Sequence, residues 1–331
     1  MKRSWLASER RRVVFPPETG DTIRSEIFSV DRLEQHAQTL ATAQRVTAQR
    51  RAGRGLRRRL EDNGRVLFAA YQGAEEAVYE DRAITPADEW LLDNFYLAQE
   101  QIRQVRKDLP RGFYRGLPKL VEGPLEGYPR VFGLAWAFVE HTDSRFDREM
   151  LLRFVSAYQR VQPLTIGELW AVSITLRVVL IENLRRASEQ IAGNRIRRQE
   201  ADLLADRLLG LGGRAPEASD VALRRFDAMH LPPAFVVRLL QRLRDQDPQV
   251  TPALAWLDER LAKQGTTAEI IVGEEHQRQV GMNVTVRNVI TSMRLISSID
   301  WAKIFESMSL VDAALGADHR FTDMDFPTRD R

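Results

Sequence analysis

The 331 residues, 44% hydrophobic and 29% charged, make a globular composition long enough to bury a sizeable core without disulfide or metal staples. The chain has no cysteine, which excludes a disulfide framework, thiolate metal sites and a cysteine nucleophile. Its net charge of +3 is uneven: residues 1–60 hold 14 Lys and Arg against 6 Asp and Glu, a net of +8, and the other 271 carry −5.

Residues 1–27 read as a basic arm, partly disordered, in which Glu9-Arg10-Arg11-Arg12 follows the start too closely to leave an apolar signal segment. A second cluster, Arg50, Arg51, Arg54, Arg57, Arg58 and Arg59, is an anionic-surface candidate facing the phosphates of a membrane leaflet or of nucleic acid. The plainer reading, a solvated arm with a helix start behind it, comes first, and the anionic surface second. No aromatic residue is interleaved between Arg45 and Leu67, so nothing supports base stacking, and nucleic acid is the weaker partner.

Apolar positions then recur at three and four residues, the helical period, and predict an all-α chain with little or no strand. The expected architecture is an irregular antiparallel multi-helix bundle with a solenoid-like rhythm. A first helical unit spans 28–209, a Gly-rich linker 210–216, and a second unit 217–316. Thr85-Pro86-Ala87-Asp88 predicts a helix start, with a cap hydroxyl, a proline in the first turn and a carboxylate near the positive end of the dipole. That helix runs to about Lys107 and stops at Asp108-Leu109-Pro110. Thr165-Ile166-Gly167-Glu168 is a capping box opening the most apolar helix, from Ile166 to about Ile191. Leu231-Pro232-Pro233 and Asp247-Pro248 punctuate the second unit, and Thr251, Asp300 and Ser309 are further caps. Short β-branched runs occur only at Arg11–Phe15 and Ile270–Gly273. The longest apolar stretch, Leu169–Ile181, is 13 residues and contains Arg177, short of the roughly 20 a membrane span needs. The tail, 317–331, is polar and leads toward a missing downstream domain.

No reactive centre is legible along this path. Gly210-Leu211-Gly212-Gly213 follows a helix and lacks a trailing lysine, so it is a linker and not a phosphate loop. The five histidines are scattered, and His141-Thr142-Asp143 offers two metal ligands without a third. Glu168 and Glu182, on the apolar helix, are 14 residues apart, about 21 Å, too far for one acid–base pair. The capping box accounts for Glu168, and an ion pair with Arg185 or Arg186 accounts for Glu182. Sugar contact is the remaining possibility for Trp136, Trp170 and Glu168, if all three face one open cleft. Core packing is the alternative for the tryptophans.

Several phrases resemble one family. They include Glu89-Trp90-Leu91-Leu92-Asp93-Asn94-Phe95, Leu109 to Leu120, Gly127-Tyr128-Pro129-Arg130-Val131-Phe132-Gly133-Leu134-Ala135-Trp136 and His141 to Asp147. Gln162 to Ala171, Glu182-Asn183-Leu184-Arg185-Arg186 and Met324 to Arg331 add to them. From about Ser25 onward the chain is similar to the N-terminal region of cyclic β-1,2-glucan synthases, ahead of their membrane-embedded glycosyltransferase domain. The resemblance implies a role in making periplasmic cyclic glucans from UDP-glucose, at the cytoplasmic face of the inner membrane. The partners it implies are the rest of the synthase, its glycosyltransferase and membrane helices. The family's aspartate motifs and Gln-x-x-Arg-Trp element have no counterpart here, so no catalytic residue, metal ligand or cofactor carries over. The expected role is a non-catalytic scaffold or regulatory module, and the alternative is a free-standing β-glucan-binding or carbohydrate-active protein. The chain ends at Thr328-Arg329-Asp330-Arg331, where those relatives continue, and the expectation is a fragment or a truncated gene product.

Overall fold

The computed structural model describes residues 20–47, 55–109, 111–211, 215–227, 229–244 and 251–315, together with 324 and 328. Over these residues the chain is essentially all-α.

Local chemistry sets most of the helix starts. Ser29 accepts from the Arg32 N–H to open α1 (Val30–Ala43). After α2 (Leu56–Tyr79), Thr85 and Asp88 cap α3 (Pro86–Asp108) reciprocally. The Thr85 hydroxyl accepts from the Asp88 N–H at 3.2 Å, and the Asp88 carboxylate accepts the Thr85 N–H and O–H at 2.9 and 2.7 Å. The short α4 (Arg111–Gly116) and α5 (Arg130–His141) precede α6 (Arg148–Gln159), whose cap is Asp147. The expected capping box at Thr165 and Glu168 opens α7 (Ile166–Leu209). Next come α8 (Ser219–Leu223), α9 (Pro233–Leu243), with Pro233 in its first turn, α10 (Thr251–Lys263) and α11 (Ala268–Ser298). Asp300 caps α12 (Trp301–Met308) and Ser309 caps α13 (Leu310–Leu315).

One local expectation needs correction, and the little strand among the described residues lies away from the β-branched runs. The apolar helix continues past Ile191 to Leu209, 44 residues or about 66 Å. Nothing between breaks the helix, and Ala201, Leu204, Ala205 and Leu208 renew a buried stripe at helical spacing. The β-branched run at Ile270–Gly273 lies in the first turns of α11, where the Thr267 hydroxyl accepts from the Ile270 N–H. Packing of Ile271 into the core overrides its strand propensity. That strand pairs β1 (Val46–Thr47) with β2 (Lys119–Leu120), antiparallel, with Val46 opposite Leu120. The other β-branched run, Arg11–Phe15, lies outside the described residues.

The described residues divide into two compact units, each drawing on separated stretches of sequence. The first comprises 20–60, 103–180 and 295–315, and the second 61–102 and 181–294. Gly210, Leu211 and Pro216 belong to the second unit, and α2, α3, α7 and α11 each contribute residues to both. In the first unit α5 is buried on nearly every side, and its Val131, Leu134 and Phe138 face Phe154 and Val155 of α6 and Val172 and Leu176 of α7. In the second, Leu204 and Leu208 meet Phe226, Phe235, Leu239, Leu257 and Ile271 in one apolar cluster.

Candidate functional site

The first unit holds most of the residues that the sequence nominates, and it brings Arg59 beside Trp136 while Glu168 and Trp170 have other partners. Glu168 is fully buried and engaged twice. It completes the capping box, accepting from the Thr165 N–H and O–H at 2.9 and 3.1 Å. It also receives the Arg130 fork, Nε to Oε1 at 2.8 Å and Nη2 to Oε2 at 2.5 Å. Burial works against the Arg130 charge, but hydrogen bonding and attraction from Glu168 outweigh it and hold the guanidinium above its ordinary pKa. Trp136 is buried, 6.0 Å from the Phe132 ring and edge-on to it. Trp170 is half-buried and stacks on Phe305 with centroids 4.4 Å apart. Packing thus accounts for both tryptophans, and the Glu168 carboxylate is committed to Arg130 and Thr165.

Helical phase separates the arginines at the start of α2. Arg57 and Arg58 are exposed, whereas Leu56, Arg59 and Leu60 point inward. Arg59 is 1% exposed, so it is not a surface cation as its neighbours suggest. It donates Nη1–H to the Tyr128 hydroxyl at 2.9 Å, with the rings of Tyr128, Phe132 and Trp136 within 6 Å. Arg50, Arg51 and Arg54 lie outside the described residues.

His141 also has a packing role. Its ring stacks on Phe28 at 3.9 Å, its Nδ1 lies 2.9 Å from the Glu26 carbonyl, and His36 meets it edge-on at 4.6 Å. Asp143 pairs with Arg24 at 3.7 Å. Among the described residues no group of three His, Asp or Glu side chains is arranged to hold a metal ion.

In the second unit, Glu182 accepts from Arg185 at 3.1 Å and Arg186 at 3.0 Å, the expected intrahelical pairs, and from Asn63 of α2 at 2.8 Å. The same unit contains a cleft of about 660 Å³ that sequence reasoning missed. Its walls are the turn ahead of α3 (Asp81–Pro86), the middle of α7 (Arg195–Leu203), α9 (Ala234–Arg242) and α11 (Val272–Gln279). Arg82, Arg195, Arg198, Arg238 and Arg242 all line it. Arg195 donates to the buried Asp88 carboxylate at 3.1 Å, Arg238 to Asp202 at 2.7 Å and Arg242 to Asp206 at 2.5 Å. Glu275, also buried, accepts from Arg278 and Gln279 at 2.8 and 3.0 Å. Burial pushes the Arg198 guanidinium below its ordinary pKa, a shift that nearby Asp88 and Glu275 oppose and Arg195 and Arg238 reinforce. The sequence does carry a trace of this cleft, in the helical spacing of Arg195, Arg198 and Asp202 and of Arg238 and Arg242. Only the tertiary approach of α7, α9 and α11 turns that spacing into a concavity.

No protein-family model matches the chain. Over 311 residues, 94% of its length, it is 38% identical to cyclic β-(1,2)-glucan synthase NdvB of Rhizobium meliloti (strain 1021). It spans 11% of the length of that relative, and it is thus similar to a region of a glucan synthase many times larger. Among the described residues no helix is long and apolar enough to cross a membrane.

Proposed function

We propose that this chain is a non-catalytic helical scaffold or regulatory module of a cyclic β-1,2-glucan synthase, placed ahead of its membrane-embedded glycosyltransferase. The observation that carries the reading is the 38% identity, sustained over 94% of the chain, to a stretch amounting to 11% of a glucan synthase. The fate of the buried carboxylates supports it. Glu168 and Glu182 are taken up by arginines and by a helix cap, as structural charges are and as an acid–base pair is not. In this reading UDP-glucose is the substrate of the remainder of the synthase, the glycosyltransferase and membrane helices are the partners, and no cofactor is assigned to the chain itself. The module sits at the cytoplasmic face of the inner membrane, with the exposed Arg57 and Arg58 at the start of α2 toward the anionic leaflet.

The test uses the full-length synthase that carries this region. Substituting Glu168 with Ala there should lower the amount of assembled synthase and of cyclic glucan together, with the glucan made per folded molecule unchanged. The 331-residue chain alone should transfer no glucose from UDP-glucose. Glucose transfer by the isolated chain would overturn the non-catalytic reading. Normal glucan output from a synthase lacking the region would overturn the scaffold.

A further inference from the structure

We propose that the cleft of the second unit binds a small phosphorylated molecule whose phosphate is held by Arg198. Every other arginine around this cleft has a carboxylate in ion-pair contact: Arg82 with Glu80, Arg195 with Asp88, Arg238 with Asp202, Arg242 with Asp206 and, just outside, Arg278 with Glu275. Arg198 is half-buried and has none among the described residues. A partly desolvated guanidinium with no carboxylate in direct contact is costly, and its five donors in a planar fork match a phosphate or carboxylate ligand. Asp88 and Glu275 attract its charge and Arg195 and Arg238 repel it, and the two neighbouring guanidinium groups are themselves held by Asp88 and Asp202. With Arg198 the guanidinium that has donors to spare and other arginines lining the same cleft, a phosphate, whose oxygens accept from several directions, suits the place better than a planar carboxylate.

Volume points to more than an inorganic ion. The cleft, at about 660 Å³, lies in the range of roughly 300–1,000 Å³ typical of small-molecule sites. Arg198 stands where the main cleft meets a side pocket of about 40 Å³ that it shares with Asn194 and Asn283. The phosphate has its place beside Arg198, and the organic body lies along the apolar wall of Leu203, Val237 and Val272. This inference is independent of the scaffold reading, because the whole site lies within one unit of this chain.

Calorimetry on the 331-residue chain at low salt, with inorganic phosphate, pyrophosphate and a hexose phosphate as probes and free hexose as the neutral control, tests the proposal. The phosphorylated probes should bind saturably and the free hexose should not. Arg198→Gln should weaken binding by about tenfold or more, the loss of a charge-assisted hydrogen-bond pair, without lowering the melting temperature. Arg197→Gln, one residue away on the exposed face and paired with Glu200, should leave affinity unchanged. Gln241→Glu, which adds an anion at an exposed position lining the cleft, should weaken binding even if Arg198→Gln folds poorly. Absence of saturable binding by all three phosphates, equal affinity in Arg198→Gln or Gln241→Glu, or equal loss in Arg197→Gln would overturn the site. Binding confined to phosphatidylglycerol vesicles would overturn the small-molecule assignment in favour of a lipid headgroup.

Discussion

Arg130 at the start of α5 and Glu168 at the start of α7, 38 residues apart in sequence, meet in a two-point ion pair whose side chains are 4% and 0% exposed. The Arg130 fork closes further on the Pro163 carbonyl at 3.1 Å. One carboxylate therefore caps α7 and ties it to α5. Glu168→Ala removes the cap and leaves Arg130 buried without its anion, so the first unit should lose about 3–5 kcal/mol of stability. Replacing both residues with apolar ones of similar volume should cost much less than the sum of the single changes. Denaturant titrations of the four proteins check this; a Glu168→Ala loss below about 1 kcal/mol would refute the buried-pair account.

Consecutive arginines at the start of α2 should behave oppositely. Arg59→Ala removes a buried stem and its bond to Tyr128, and should destabilise by roughly 2 kcal/mol or more. Arg57→Gln and Arg58→Gln, both exposed, should each fall within about 0.5 kcal/mol of the parent. Membrane binding should reverse the ranking. If α2 begins at an anionic leaflet, the Arg57→Gln/Arg58→Gln pair should lose about 1 kcal/mol per charge in flotation with anionic vesicles. A folded Arg59→Met variant should float like the parent. Flotation indifferent to anionic lipid would remove the leaflet from the proposed function.

What could be read from the sequence follows from how local its physics is. Helix starts were legible, because Thr85, Asp88, Thr165 and Glu168 make their cap bonds within three residues. The pairs of Glu182 were legible for the same reason, being one helical turn away. The partner of Glu168 across 38 residues was not, and neither was the inward turn of Arg59, since a run of arginines carries no sign of which one meets an aromatic box. The cleft was the least visible feature. Its arginines read as the polar face of amphipathic helices until α7, α9 and α11 bring them together. The interleaved units were hidden too, because a linker-like Gly210-Leu211-Gly212-Gly213 is a stronger local signal than a 44-residue helix contributing to both.

The stacked pair of His141 and Phe28, with His36 edge-on, gives the first unit a defined pH response. Burial pushes the His36 imidazole below its ordinary pKa, and the neighbouring His141 adds to the shift. The folded chain therefore binds a proton there less readily than the unfolded chain. Stability is unaffected well above about pH 6.5, the unfolded value, and falls as the pH drops through and below it. Replacing His36 with Phe removes the titrating group while keeping an aromatic edge against His141. The fall in denaturation midpoint between pH 7.5 and pH 5 should then be shallower than in the parent. An unchanged slope would place the pH dependence elsewhere in the chain.

Two glycines of the second unit should respond to alanine with opposite signs. Gly210 closes α7 in the left-handed region, φ +67°, while Leu211 N–H returns to the Asp206 carbonyl at 2.9 Å. A Cβ there would lie 2.6 Å from Pro216 Cδ and 2.7 Å from its nitrogen, so Gly210→Ala meets both backbone strain and a clash with a ring that cannot rotate away. The cost should exceed about 1 kcal/mol. Gly193 lies inside α7 where a Cβ would meet nothing within 4 Å beyond its chain neighbours and its own helix backbone, and there glycine brings only chain entropy. Gly193→Ala should therefore stabilise by about 0.5–1 kcal/mol. Thermal melts of the two variants read the contrast directly. Equal effects of one sign would mean that α7 does not end as a capped helix at Gly210, and that the wall of the cleft it supplies is less firmly set than its geometry implies.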